Sequence, residues 1–201
     1  MHIDPATLGR GGAYRLLTSA IVPRPIAWVG TLSPEGVDNL SPFSYFMAVS
    51  SEPPRLAVSV ARGRDGALKH TARNILATRE FTVAIPEESA LDLMHATSAP
   101  WDGSEFDAVG VPRGASARVA PPWAGVARVA FECRLHEAID LGQVHLVVGE
   151  VVWAHVADGL LLEGAVDRAR LRPLARLGGD GYSTIGAVLT RAPARVPSRT
   201  E

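Results

Sequence analysis

The sequence predicts a mainly β fold, an antiparallel barrel with a few short helices, on three observations. Its apolar segments are short and rich in β-branched or aromatic residues, the connections that can be read between several of them are turn-length, and only two or three helical periodicities intervene. A doubly wound parallel sheet would need a helix-length crossover between successive strands.

PIAWVGTL, residues 25–32, is a short apolar run followed by SPEG, residues 33–36, whose Pro and Gly suit a tight turn and predict a hairpin. The returning segment, 37–50, contains Pro42, which has no N–H for a ladder, so a bulge or a sheet edge is expected there. Backbone groups freed at such a place can face a ligand. LAVSV (56–60) and FTVAI (81–85) read as strands.

Between those two, Leu68, Ala72, Ile75 and Leu76 recur at helical spacing. The helix start is either Asp65 as N-cap or a point near His70 and Thr71. A second helix is expected from about Glu88 to Thr97, with carboxylates at its positive end, Leu91 and Met94 inward, and Pro100 beyond it. Segments 127–138 and 144–156 alternate, and DLGQ (140–143) joins them as an antiparallel hairpin. The tail, 191–201, is almost devoid of apolar residues and is read as disordered or laid over a partner. With no repeat or linker visible, one domain over 1–201 is expected, its core at about 14–186.

A net charge of −1 provides no surplus positive field, which argues against nucleic acid as a partner. Cys133 is the sole cysteine and suits a reducing, cytoplasmic compartment. It shares a strand face with Val129, Phe131 and Leu135, so it reads as core rather than as a catalytic thiol. The N-terminus lacks the apolar stretch of a secretory signal, and the most apolar region, 144–166, is interrupted by Glu150, His155, Asp158 and Glu163, so no membrane span is expected.

GxSxG, HExxH, CxxC and GxxxxGK[ST] are all missing from the sequence. Its six histidines show no close pair at metal-ligand spacing, so no metal is expected. Gly178, Gly179 and Gly181 do not form GxGxxG; they mark either a turn or a place where backbone approaches a planar ligand.

PRPIAWVGTLSPEGVDNLSPFSYF (23–46), VSSEPPRLAVSV, LKHTARNI, TSAPWDGSEFDAVGV and RPLARLGGDGYSTIG follow one another in an order that resembles the flavin reductase-like, FMN-binding split-barrel family, over roughly residues 14–186. The resemblance implies a split β-barrel binding FMN in a groove at a homodimer interface. It implies cofactor contacts from Thr31, Asn39, Ser41, Ser44, Ser59, Lys69, Thr71, Arg172, Arg176 and Tyr182, and no catalytic side chain. Asn39, Ser41 and Ser44 surround Pro42 and carry short polar groups suited to a flavin edge, or simply to a turn. Lys69, the only lysine among 20 basic residues, and Thr71 lie near a helix start that favours a phosphate. Arg172 and Arg176 bracket RPLAR ahead of the glycine loop and Tyr182, and each could equally be a solvated surface arginine. His70 stands where similar proteins commonly have Asp, and Met47 where they commonly have Asn.

The implied activity is hydride transfer from NAD(P)H to bound FMN, with electrons passed on to an acceptor, a redox partner protein among the candidates, the flavin doing the chemistry that missing triads would otherwise supply. Two other readings remain: an FMN electron carrier without a nicotinamide site, and a barrel binding module without cofactor. An oxidase of the pyridoxamine-phosphate type would need motifs the sequence lacks.

Overall fold

The computed structural model describes residues 2–9 and 11–191; apart from Arg191, the tail segment lies outside them. Seven strands form one antiparallel sheet: β1 (Ala27–Leu32), β2 (Asp38–Phe43), β3 (Phe46–Ser51), β4 (Pro54–Ala61), β5 (Glu80–Ala84), β6 (Val129–Asp140) and β7 (Val144–Val156). Their order is β2-β1-β5-β6-β7-β4-β3. The two edge strands, β2 and β3, are therefore consecutive in sequence and separated only by Ser44 and Tyr45. So short a link forces the sheet to roll until its edges approach one another, and no β2–β3 ladder closes the seam. This is a split barrel.

Both expected hairpins form. β1 pairs with β2 from Ala27 opposite Phe43 to Leu32 opposite Asp38, and the 33–36 turn is closed by Ser33 N–H to Val37 O at 2.8 Å. Pro42 sits in that ladder without a register shift, so the edge is the correct expectation and the bulge is not. The expected 37–50 return is in fact two strands, broken at residues 44–45. β6 and β7 form the longest ladder, with shifts at Val148/Gly149 and Val151/Trp153. At Gly149 a Cβ would lie 2.3 Å from Phe81 Cζ, so glycine here leaves room on β7 for the Phe81 ring.

One sheet face turns inward. Ala27, Val29 and Phe43 from one half meet Leu56, Val58, Val60, Cys133 and Val147 from the other, with Phe81 and Val83 between. Helix α2 (His70–Thr78) adds Ala72 and Ile75 to this core, and its start matches the later of the two expected positions. On the outer face, Trp28, Leu40 and Ala84 pack beneath α3 (Leu91–Ala96) and α4 (Glu105–Val109), through Met94 and Phe106. The expected 88–97 helix is a 3-10 turn (Glu88–Ala90) that runs into α3. Three short α-helices lie beyond the two expected: α1 (Gly12–Ala20), which buries only Thr18, α4, and α5 (Arg168–Leu171). A small sheet pairs Arg24–Pro25 with Ala175–Arg176, and the latter with Tyr182–Ser183. It carries the C-terminal segment back to the start of β1.

Buried polar groups fasten the remaining loops. Glu132 on β6, fully buried, accepts N–H groups from Ala117, Arg118 and Val119 at 2.7, 2.6 and 3.0 Å and faces His155 Nε2 at 2.6 Å. This carboxylate takes three of the amides of the loop that covers β5 and β6; Glu80 Oε2 accepts a fourth, from Ala120, at 2.9 Å, and Thr82 Oγ1 donates to Pro122 O at 2.8 Å. Trp28 is core, its Nε1–H donating to Thr97 Oγ1; Trp153 is 42% exposed under the Arg118 guanidinium. No helix among the described residues is long and apolar enough to cross a membrane.

Candidate flavin site and the adjoining groove

Helix α2 begins without a side-chain cap, and Lys69 is its N-cap residue in extended conformation. The first helical hydrogen bond is Arg73 N–H to Lys69 O at 3.0 Å. The amides of His70, Thr71 and Ala72 therefore precede the ladder and point out of the helix start. Three free N–H groups, the positive end of the dipole and a lysine together make this helix start a candidate anion site. Lys69 Nζ stands 6.0 Å from the Phe43 ring centroid, and among the described residues no carboxylate pairs with it. His70 is exposed on the first turn of the helix.

Beneath this anion site lies a buried polar seam. Thr31 and Asn39 are cross-strand partners; Asn39 Nδ2 donates to Thr71 Oγ1 at 3.0 Å, and Asn74 Nδ2 donates to Thr31 Oγ1 at 3.1 Å. The Thr31, Asn39 and Thr71 side chains are thus engaged with one another and with Asn74, which the sequence reading had passed over. They hold α2 against the sheet, and the Asn74 Oδ1 atom, buried, has no partner among the described residues. Ser41 and Ser44 are half-buried along and just beyond the edge strand, at the split. Ser59 projects from the face of β4 opposite Val58 and Val60, with its N–H given to Tyr45 O at 2.9 Å.

Arg176 and Tyr182 converge on a second feature, a groove of about 150 Å³ that opens between Phe43, Ser44, Met94 and His95. The Arg176 guanidinium stacks 4.4 Å from the Tyr182 ring centroid, and Tyr182 Oη lies 3.0 Å from His95 Nδ1. The glycines at 178–181 form a tight turn closed by Leu177 N–H to Gly181 O at 2.9 Å, which folds Tyr182 back beside Arg176. Phe43 belongs to both places: it lines the groove and lies under Lys69.

Arg172 goes elsewhere. Its Nε donates to Glu88 Oε2 at 2.7 Å, and it lines a separate surface cavity with Glu87 and Arg128. The structure does not bring it to the groove or to Lys69. Sequence reasoning also overlooked Arg24, 6% exposed, which donates to Thr18 O, Ile21 O, Leu177 O and Ser44 Oγ. The only signal was its place between two prolines at the head of the 23–46 segment.

At the outer end of β2, Glu105 Oε2 accepts Leu40 N–H at 2.9 Å, so this edge amide is capped and not offered to a ligand. Burial pushes the Glu105 carboxyl above its ordinary value, opposed by that N–H and by nearby His70. Groups of three or more His, Cys, Asp or Glu side chains placed to hold a metal are absent among the described residues. The free amides, the lone lysine and the aromatic wall fit an organic phosphate whose other end is a flat ring.

A family model described as flavin reductase like domain matches residues 19–174. An uncharacterized protein of Halalkalibacterium halodurans is 36% identical over 194 residues, covering 92% of this chain and 93% of that one. The crystal structure of nitrilotriacetate monooxygenase component B from Bacillus cereus superposes with a TM-score of 0.91 at 34% identity, covering 95% of this chain and 99% of that one. Pseudomonas fluorescens 2-nitrobenzoate 2-nitroreductase gives 0.84 at 30% identity, with both chains fully covered.

Proposed function

The chain belongs to the flavin reductase-like family, and from that premise we propose that it binds FMN and catalyses hydride transfer from NAD(P)H to the flavin. The observation that carries this reading is the uncapped start of α2, with Lys69 beside the Phe43 ring at the open split.

In this reading Lys69 and the His70, Thr71 and Ala72 amides hold the phosphate. Thr31, Asn39 and Thr71 act one step back, fixing the helix start through the buried seam. Ser41, Ser44 and Ser59 offer short hydroxyls along the split, and Arg176 with Tyr182 lines the smaller groove that adjoins the flavin. When bound, the flavin supplies the redox chemistry, taking a hydride from a nicotinamide and releasing electrons to an acceptor. The side chains bind, orient and exclude water, so no strongly activated nucleophile is needed.

Two further parts belong to the same proposal. The open split, flanked by exposed Tyr45 in the link and by exposed Met47 and Val49 on the edge strand β3, is covered by a second copy of the chain. The likeness to a monooxygenase component supports delivery of electrons to a separate protein. An absorption spectrum with FMN or FAD, followed by anaerobic titration with NADH and NADPH, tests the proposal. FMN binding and rapid bleaching of the flavin absorbance are expected. Binding without bleaching would leave an electron carrier, and a colourless protein indifferent to either flavin would overturn the proposal. Light scattering of the FMN-loaded form is expected to show a dimer.

A further inference from the structure

Arg24 and Arg176 lie directly opposite one another in the small sheet, and neither has a carboxylate in salt-bridge reach among the described residues. Like charges placed opposite in a ladder repel, and a buried guanidinium without a counter-ion is costly. Arg24 is partly compensated. It takes carbonyls at the C-terminal end of α1, at 2.6 and 2.9 Å, where the helix dipole is negative. It also approaches Ser44 Oγ at 3.4 Å. Since that oxygen accepts from Arg24, the Ser44 O–H is left to donate, and Ser44 lines the groove. Arg176 spends one Nη2 bond on Gly179 O at 2.7 Å and keeps the rest of its fork.

The groove joins this positive wall to an apolar floor. Ile26, Pro42, Phe43 and Met94 line it, and no Asp or Glu does. A cavity of about 150 Å³ admits a single benzene-sized ring, far less than a dinucleotide needs. The Arg176 plane, already stacked on Tyr182, suits a planar two-oxygen anion.

We propose that this groove is a binding site for a small aromatic carboxylate, with its ring on Phe43 and Met94 and its anion held by Arg176 and the Ser44 hydroxyl. The Tyr182–His95 pair closes the side of the site and holds the Arg176 stack in place. As a substrate class for the oxidoreductase this rests on the flavin reading; as a binding site it does not.

The test is calorimetric titration of the full chain, with and without FMN, using sodium benzoate at constant ionic strength. Saturable binding of one benzoate per chain is expected, at least tenfold tighter than benzamide. Arg176→Gln should weaken benzoate at least tenfold, and Arg170→Gln, an exposed arginine remote from the groove, should not. Ser98→Trp, at an exposed position that lines the groove, fills it and leaves the charges alone; it should abolish binding and provides a second route if Arg176→Gln disturbs the 178–181 turn. FMN titration of the same proteins reads the flavin proposal separately. Absence of saturable benzoate binding, equal affinity for benzamide, undiminished affinity in both variants, or displacement of benzoate by equimolar inorganic phosphate would each overturn the assignment. So would a loss of NADH affinity in Arg176→Gln with benzoate affinity intact.

Discussion

Asn39 Nδ2 donates to Thr71 Oγ1 at 3.0 Å, tying the edge strand β2 to the first turn of α2 inside the protein. The bond packs the first turn of the helix against the sheet, beside the free amides and Lys69. An edge strand at a seam has no second neighbour to steady it, and this contact replaces one.

Thr71→Val keeps the shape and removes the acceptor, leaving the buried Asn39 amide unpaired. The loss should be about 1–3 kcal/mol, and in a chain of this size the melting temperature should drop by roughly 2–4 °C for each kcal/mol. Thr71→Ser should recover most of it. A urea midpoint unchanged in Thr71→Val would mean that the seam does not hold the helix.

Lys69→Ala should leave the fold intact, since the side chain is exposed, and weaken FMN by about 1–3 kcal/mol through loss of a charge-assisted contact. Fluorescence titration at two salt concentrations measures it, and the variant should show the shallower salt dependence. An identical dissociation constant would take Lys69 out of the phosphate site.

Much of this was legible in the sequence because it was local. SPEG between two apolar runs specifies its hairpin, DLGQ does the same for β6 and β7, and Cys133 falls in the core as alternation requires. What escaped depends on distant partners. Arg172 and Arg176 are equivalent within RPLAR, and only Glu88, far along the chain, draws one away while Tyr182 keeps the other. Arg24 looks like any surface arginine until Leu177, 153 residues later, accepts from it. Glu132 lies in an alternating strand and would be read as solvent-facing, because the loop that buries it has no periodicity to announce it.

Cys133 is fully buried, and burial pushes its thiol far above the ordinary range, with the Glu132 charge adding to the effect. The thiolate that alkylating agents need is therefore scarce as well as inaccessible. Native protein at pH 8 should resist iodoacetamide for hours and react stoichiometrically in urea, as mass spectrometry would show. Fast labelling of the native form would contradict the packing of β6.

Glu105 and a glutamine in its place should diverge with pH. The folded carboxyl is raised above its ordinary 4.5 chiefly by burial, so the folded state holds a proton that the unfolded state has lost. Stability therefore falls as pH rises through the window that begins near that value. Glu105→Gln keeps an acceptor for Leu40 N–H and has no charge to bury. Its urea midpoint relative to the parent should improve between pH 4 and pH 7; a difference independent of pH would show that the carboxyl is not strained by its burial.

Glu132 should behave in the opposite sense. Burial opposes its charge, but the Ala117, Arg118 and Val119 amides and His155 outweigh that and hold the carboxyl below 4.5. A depressed acid contributes stability that is present above the unfolded value and is lost as pH falls through the folded one. In Glu132→Gln the geometry leaves no good orientation. One carboxylate oxygen faces Ala117 N–H and His155, the other faces Arg118 and Val119 N–H, so an amide NH₂ opposes donors whichever way it turns. The cost should reach about 3 kcal/mol or more at pH 7, with the 115–123 loop gaining hydrogen exchange first. The gap between variant and parent should then narrow below pH 4, as the parent carboxyl takes up its proton. A gap that is small at pH 7, or that stays constant down to acid, would mean that this carboxylate does not anchor the loop.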